Sequence, residues 1–263
     1  MKYALVLLLV ILLVLLACAP GKVKLFDRPE DQYEYAKMLY VKGNYYLATE
    51  AFQTVIFRFH GTSLADSVTF YMGMCYYNQE DYILAVGEFK RLRLNYPNSP
   101  LADDAHYMTA RSYFLDSPGN VGLEQDGVKD AIREIENFFE DFPNSAFRQN
   151  ARELLDSCYC RLAHKDYKNG EVYYKIGDYQ AARIYLEDVV TKYSCSEWVG
   201  KSLYRLGEID YKEENYKDSR AKFKNFLNAF PEHEWAGRAA KRLEKVEEKL
   251  NEIESLQNER AQE

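Results

Sequence analysis

The sequence predicts an all-α fold: a right-handed α-solenoid of five helix pairs with a C-terminal capping helix. Three observations predict it. A ten-residue motif recurs as "FHGTSLADSV" from Phe59, "YPNSPLADDA" from Tyr96, "FPNSAFRQNA" from Phe142, "YSCSEWVGKS" from Tyr193 and "FPEHEWAGRA" from Phe230. Its second position falls at 60, 97, 143, 194 and 231, a period of 37 residues stretched by insertions of 9 and 14. Small and aromatic residues return at helical spacing inside each period, and short turn signals ("KGNY", "NQEDY", "KIGDY", "KEENY") split each period into two antiparallel helices.

Taken from the N-terminus, "MKYALVLLLVILLVLLAC" is a lysine followed by fifteen uninterrupted apolar residues and a cysteine. A membrane-spanning helix needs about 20 apolar residues, so this run reads as the apolar core of a secretory signal. "LLAC" at 15 to 18 is similar to the bacterial lipobox, in which the cysteine is acylated and becomes the mature N-terminus, although Leu16 stands where a smaller residue is commoner. Cys18 is therefore the expected lipidation site, with palmitate among its acyl chains, and more than one chain gives stable membrane attachment. The polar stretch after it is a tether.

The repeats follow in order. One period holds Gly73, Tyr76, Tyr82, Ala85, Phe89, Leu92 and Pro97, and another holds Gly170, Tyr173, Tyr179, Ala182, Leu186, Val189 and Ser194 at the same offsets. These are the offsets of the tetratricopeptide repeat: a small residue where helices A and B pack closely, a tyrosine opening helix B, a small-then-large ladder along B, and a closing proline. The first copy has Ala36, Leu39, Tyr45, Ala48, Phe52 and Val55, and the last has Gly207, Tyr216, Phe223, Phe226 and Pro231. The third copy diverges around an inserted "DSPGNVGLEQDG", whose turn formers predict an exposed loop at 116–127. The second insertion lacks proline and keeps helical periodicity, so the fourth repeat should open with an unusually long helix. In the motif the proline stops helix B, and the Asn-Ser pair is placed to cap the next helix. Leu243, Val246, Leu250 and Ile253 form an apolar stripe on a charged terminal helix, suited to capping the stack or to docking a partner. The organisation is a signal peptide at 1–17, a lipidated tether at 18–30, repeats at approximately 31–60, 64–97, 101–143, 147–194 and 198–231, and a charged helix and tail at 232–263.

The net charge of −7 excludes a nucleic-acid partner, which would need a clustered basic surface; "KRLR" at 90 to 93 reads as a solvated helix face. No phosphate-cradling glycine loop, paired-histidine metal helix or nucleophile elbow occurs, so neither an enzyme nor a bound cofactor or metal is expected. Histidines 60, 106, 164 and 233 are scattered over four repeats and read as surface or capping residues. Cys75, Cys158 and Cys160 lie on predicted helices and Cys195 in a turn; the expectation is reduced, apolar cysteines with no disulfide.

Lipobox, tether, five repeats with "YPNSP" and "FPNSA" closures, a looped third repeat, a long helix in the fourth and a charged C-terminal helix together resemble the BamD family of outer-membrane assembly lipoproteins. The resemblance implies a periplasm-facing scaffold of the outer-membrane β-barrel assembly machinery. It also implies that the C-terminal repeats dock the barrel-forming subunit (BamA type), with other assembly lipoproteins as further partners. The N-terminal repeats would then receive the C-terminal strand of unfolded outer-membrane proteins. A strand of that kind presents rings and a carboxylate, and tetratricopeptide faces bind extended peptides. The candidate peptide-binding residues are Tyr40, Lys42, Tyr45, Tyr71 and Tyr77, each tyrosine having packing between helices as its alternative role. The competing reading is another envelope adaptor lipoprotein, coordinating cell-wall synthesis or division; a lytic glycosidase would need an acidic residue in an apolar cleft, and none is legible.

Overall fold

A computed structural model describes residues 23–194 and 196–260. The expected signal peptide and the expected lipidation site, Cys18, lie outside the described residues. Among those described, the chain folds into helices with no strand. In chain order they are α1 (Pro29–Val41), α2 (Tyr45–Arg58), α3 (Ala65–Asn78), α4 (Tyr82–Asn95), α5 (Ala102–Asp116), α6 (Asp126–Asp141), α7 (Arg148–Ile176), α8 (Tyr179–Lys192), α9 (Ser196–Lys212), α10 (Tyr216–Ala229) and α11 (Ala236–Arg260). They fall into two compact units, Met1–Ser112 and Tyr113–Glu263, with the division inside α5.

Local chemistry sets each boundary. Pro29 supplies the first helical residue of α1, and Glu30 and Asp31 face the positive end of its dipole. The turns between paired helices repeat one device: Gly43, Glu80, Gly177 and Glu214 sit at the same place in four repeats, all in the left-handed region at φ 78°, 65°, 85° and 62°. A left-handed residue just past a helix lets its last carbonyls be satisfied, and glutamate adopts that conformation at some cost where glycine does not. Between repeats, the fourth residue of the motif closes a turn ahead of the next helix. Thr62 Oγ1, Ser99 Oγ, Ser145 Oγ and His233 Nδ1 each accept the amide proton of the residue two further on, at 3.3, 3.2, 3.1 and 3.0 Å. The serine of the Asn-Ser pair thus closes the turn that precedes the helix, with His233 in its place in the last copy, and the expected side-chain cap is not formed at α3 or α7, whose N-cap residues are Leu64 and Phe147.

Packing follows the ladder read from the sequence. In the N-terminal unit Ala36, Leu39, Ala48, Phe52, Val55, Val68 and Met72 form one buried cluster. In the C-terminal unit Ala163, Tyr167, Leu186 and Ile209 form a second, and Leu203, Phe223, Phe226, Ala239 and Val246 a third. The small residue of helix A lies directly against the large residue of helix B. A Cβ added to Gly73 would stand 2.6 Å from Phe89 Cε1, one on Gly170 2.8 Å from Leu186 Cδ2, and one on Gly207 2.9 Å from Phe223 Cζ. The Gly73→Ala variant is accordingly expected to lose about 1–2 kcal/mol, because overpacking outweighs the helix-propensity gain of alanine. Urea denaturation measures it, and shortening the ring with Phe89→Leu should recover part of the loss. An equal or more stable Gly73→Ala chain would contradict this packing.

Both insertions take the forms their sequences suggest. α7 runs for 29 residues. The α5–α6 loop is exposed at its tip but pinned at its base, where the buried Gln125 amide donates to the carbonyls of Pro118, Asn120 and Leu123. Lys165 of α7 donates to the Leu123 carbonyl at 3.2 Å and reaches Glu124 at the same distance. On α11, Val246 and Leu250 are buried and Leu243 packs beside them, while Ile253, the last residue of the predicted stripe, is exposed.

One cysteine differs from expectation. Cys75 and Cys158 are free and buried, their thiols pushed up to about 12 by burial, but Cys160 is disulfide-bonded. Two residues along a helix turn the side chain by about 200°. Burying Cys158 therefore directs Cys160 away from the same core, where it is available to pair.

Candidate functional site

The first helices of the repeats bring the tyrosines of the N-terminal unit together. On α1, Tyr33, Lys37 and Tyr40 recur at three- and four-residue spacing and so share a face. Tyr40 lies 5.6 Å from Tyr45 and 5.3 Å from Tyr71 between ring centroids. Tyr71 in turn meets the edge of Tyr33 at 6.3 Å and stacks on the fully buried Phe52 at 5.9 Å. Three of the predicted residues, Tyr40, Tyr45 and Tyr71, are thus members of one aromatic ladder. Tyr77 belongs to a neighbouring group, against Tyr82 at 5.6 Å and under the Arg111 guanidinium at 5.6 Å. Lys42 is not in the ladder; it is the exposed residue closing α1, its backbone amide donating to the Met38 carbonyl.

The cation that does meet the ladder is Lys37. Its Nζ stands 5.7 Å from the Tyr33 ring centre and 5.4 Å from that of Tyr71. The i, i+4 spacing of Tyr33 and Lys37 could have identified it from sequence, whereas choosing a lysine at the turn led to Lys42. Asn78 was also missed: its side-chain amide donates to the Tyr40 hydroxyl at 3.5 Å and to the Met74 carbonyl at 2.6 Å. Burial, with Tyr71 beside it, pushes the Tyr33 phenol up to about 12, and burial likewise raises Tyr40 and Tyr77. The ladder offers ring faces, hydroxyls and one ammonium.

The corresponding helices of the C-terminal unit are also rich in rings and cations; there several of the charges are spent internally, although Lys212 lies over the Tyr174 and Tyr179 rings at 5.6 Å each. His164 stacks on Trp198 at 3.9 Å, and burial lowers its pKa. Lys201 lies over Trp198 and Trp235 and pairs with Glu197 at 2.9 Å and Glu234 at 3.3 Å. Arg205, over Tyr174 at 4.8 Å, is bonded to Glu171. Two buried carboxylates on α9 bind cations from three other helices. Glu208 takes Arg242 of α11, while Asp210 takes Arg183 of α8 at 2.5 Å and Lys222 of α10 at 3.3 Å. Lys37 contrasts with these groups, having no carboxylate partner among the described residues. An incoming carboxylate meets an uncompensated charge at Lys37 and a neutralised one at Lys201, Arg205 or Arg242.

No group of histidines, cysteines and carboxylates among the described residues is arranged to hold a metal ion. No described helix is long and apolar enough to cross a membrane.

The chain matches a family model described as an outer membrane lipoprotein (YfiO) over residues 27–213, and a tetratricopeptide-repeat model over residues 201–233. The outer membrane protein assembly factor BamD of Caulobacter vibrioides is 29% identical over 110 residues, which cover 42% of this chain and 36% of that relative's length. Among solved structures, a TPR repeats protein from Bacteroides fragilis is similar at 14% identity and a TM-score of 0.48, covering 84% of this chain and 99% of that one. The TPR2AB domain of yeast Sti1, in complex with pHSP90, is similar at 11% identity and a TM-score of 0.43, covering 86% of each chain.

Proposed function

The chain belongs to the outer membrane lipoprotein family of BamD type, and from that membership we propose that it is a lipid-anchored, periplasm-facing scaffold of the outer-membrane β-barrel assembly machinery. Membership also makes it a protein-interaction adaptor rather than an enzyme. In this reading the N-terminal unit receives the C-terminal strand of an unfolded outer-membrane protein, and the C-terminal unit docks the barrel-forming subunit. The observation that carries the first assignment is Lys37: an ammonium over two tyrosine rings, with no carboxylate partner among the described residues. A chain terminus that ends in an aromatic residue offers a carboxylate to the ammonium and a ring to Tyr40 and Tyr71. The C-terminal unit, with Lys201, Arg205 and Arg242 held in internal pairs, supplies a rigid surface for a folded partner.

Removal of one charge-assisted contact costs about 1.5–3 kcal/mol, so Lys37→Ala should weaken binding of a peptide ending in an aromatic residue by roughly tenfold or more. Lys42→Ala should leave it unchanged. Fluorescence anisotropy of the labelled peptide reads both, and amidating the peptide's C-terminus should reproduce the Lys37→Ala loss on the unaltered chain. If Lys37→Ala and the amidated peptide both bind normally, the ladder is not the receptor. Affinity purification from mild-detergent extracts of outer membrane tests the assembly role, which requires a barrel-forming membrane subunit in the eluate.

A further inference from the structure

The end of the N-terminal unit at which α2 and α4 finish carries chemistry that the tyrosine ladder leaves unused. Phe57 and Leu94 are 72% and 82% exposed there. They occupy one repeat position, two residues ahead of the motif aromatic, where the three later copies have Glu140, Thr191 and Asn228. Beside Phe57 lies a shallow groove of about 340 Å³ whose apolar lining includes Ile56, Phe59 and Tyr96. Only the first two repeats are apolar at this position.

The chain leading in from the N-terminus is fastened to the same end. The side-chain oxygen of Gln32, a buried residue, accepts the Phe26 amide at 3.0 Å, and its amide donates to the Lys24 carbonyl at 3.2 Å. Arg58, the last residue of α2, donates to the Phe26 carbonyl at 2.9 Å, and the Phe26 ring packs on Tyr35 at 5.5 Å. This clamp leaves Leu25 62% exposed beside the α2 terminus. It also shortens the tether, because four residues separate Cys18 from Val23, and a fully extended link of that length reaches about 18 Å. Of the cations at this end, Arg58 lies 3.9 Å from Asp27 and Arg28 3.5 Å from Glu30, and the Lys24 ammonium lies over the Phe26 ring at 4.7 Å. The surface is apolar, with its two arginines paired and one lysine laid over a ring, the chemistry of the boundary between phospholipid headgroups and acyl chains.

We propose that this end of the N-terminal unit rests on the phospholipid surface to which the chain is anchored, with Leu25, Phe57 and Leu94 entering the headgroup boundary. The proposal rests on the reading of Cys18 as lipidated. Tyr46 is exposed near the opposite end of α2, about 16 Å along the helix axis from Phe57, and stays in water.

The test uses the acylated full-length chain on vesicles of phosphatidylethanolamine with a minor share of phosphatidylglycerol. An environment-sensitive fluorophore is attached at Phe57→Cys or at Tyr46→Cys; both sites are exposed, and the buried thiols of Cys75 and Cys158 do not compete. On vesicles the fluorophore at position 57 should shift to the blue and brighten several-fold, while that at position 46 stays unchanged. Adding Leu25→Glu and Leu94→Glu should remove the change at 57. An acylated, vesicle-bound chain whose two labels behave alike overturns the proposal and leaves the anchor standing. Mass spectrometry of the mature N-terminus in the same sample separates the other failure: a chain without acyl groups overturns the anchor and the proposal together.

Discussion

Glu208→Ala is expected to destabilise the C-terminal unit by about 3 kcal/mol. Glu208 is buried on α9 and grips the Arg242 guanidinium of α11 through both oxygens, the second bond measuring 2.8 Å. Deleting the carboxylate leaves Arg242 against the Tyr211 ring, 5.1 Å from its centre, with its counter-charge gone. Removing one member of a buried pair costs more than the pair contributes, since the survivor has surrendered its water. Arg242 keeps part of its exposure, which places the loss at the lower end of the usual range. The double variant Glu208→Ala with Arg242→Met should recover most of the loss, because neither charge is then stranded. Both tryptophans, Trp198 and Trp235, belong to this unit, so their emission during denaturation reports its stability selectively. A loss under about 1 kcal/mol, typical of an exposed pair, would show that Glu208 is not holding α11 in place.

Phe223→Ala should cost about 3–5 kcal/mol. The ring is fully buried, meets Tyr204 edge-on at 5.5 Å and fills the space over the bare Cα of Gly207. Alanine there opens a cavity that Gly207 cannot fill, having no side chain to move. Filling it from the other side, with Gly207→Ala in the Phe223→Ala background, should regain stability, whereas Gly207→Ala alone should lose it. Opposite signs for one substitution in two backgrounds are the signature of direct contact. Should Gly207→Ala have the same effect in both, the two helices do not meet as described.

Much of the fold was legible because a repeat protein writes the same instruction several times. A single glycine in a helix is ambiguous, but Gly73, Gly170 and Gly207 at one offset, each followed sixteen residues later by Phe89, Leu186 or Phe223, state that a small residue must face a large one. The long α7 was legible for a related reason: an insertion that keeps its periodicity and lacks proline extends a helix. The candidate site was legible in part. Tyrosine excess and repeat position led to Tyr40, Tyr45 and Tyr71, yet the lysine named with them was the wrong neighbour for those rings, since a residue closing a helix does not share the face of residues in its interior. The cysteines show the same limit. Cys158 and Cys160 look equivalent in sequence, and only burial separates the inert thiol from the paired one.

By itself, the amino-acid order determined the number and phase of the helices, their turns and the residues that fill their cores. These depend on neighbours within a turn or on a period of 37 residues, and hydrophobic burial needs only the right face. Tertiary structure alone decided which charges are spent and which are free. Glu208 and Arg242 stand 34 residues apart and pair only once α9 and α11 have packed, while among the described residues no carboxylate is brought to Lys37. Coulomb energies fall with distance through space and are indifferent to distance along the chain, so that distinction exists only in the folded molecule.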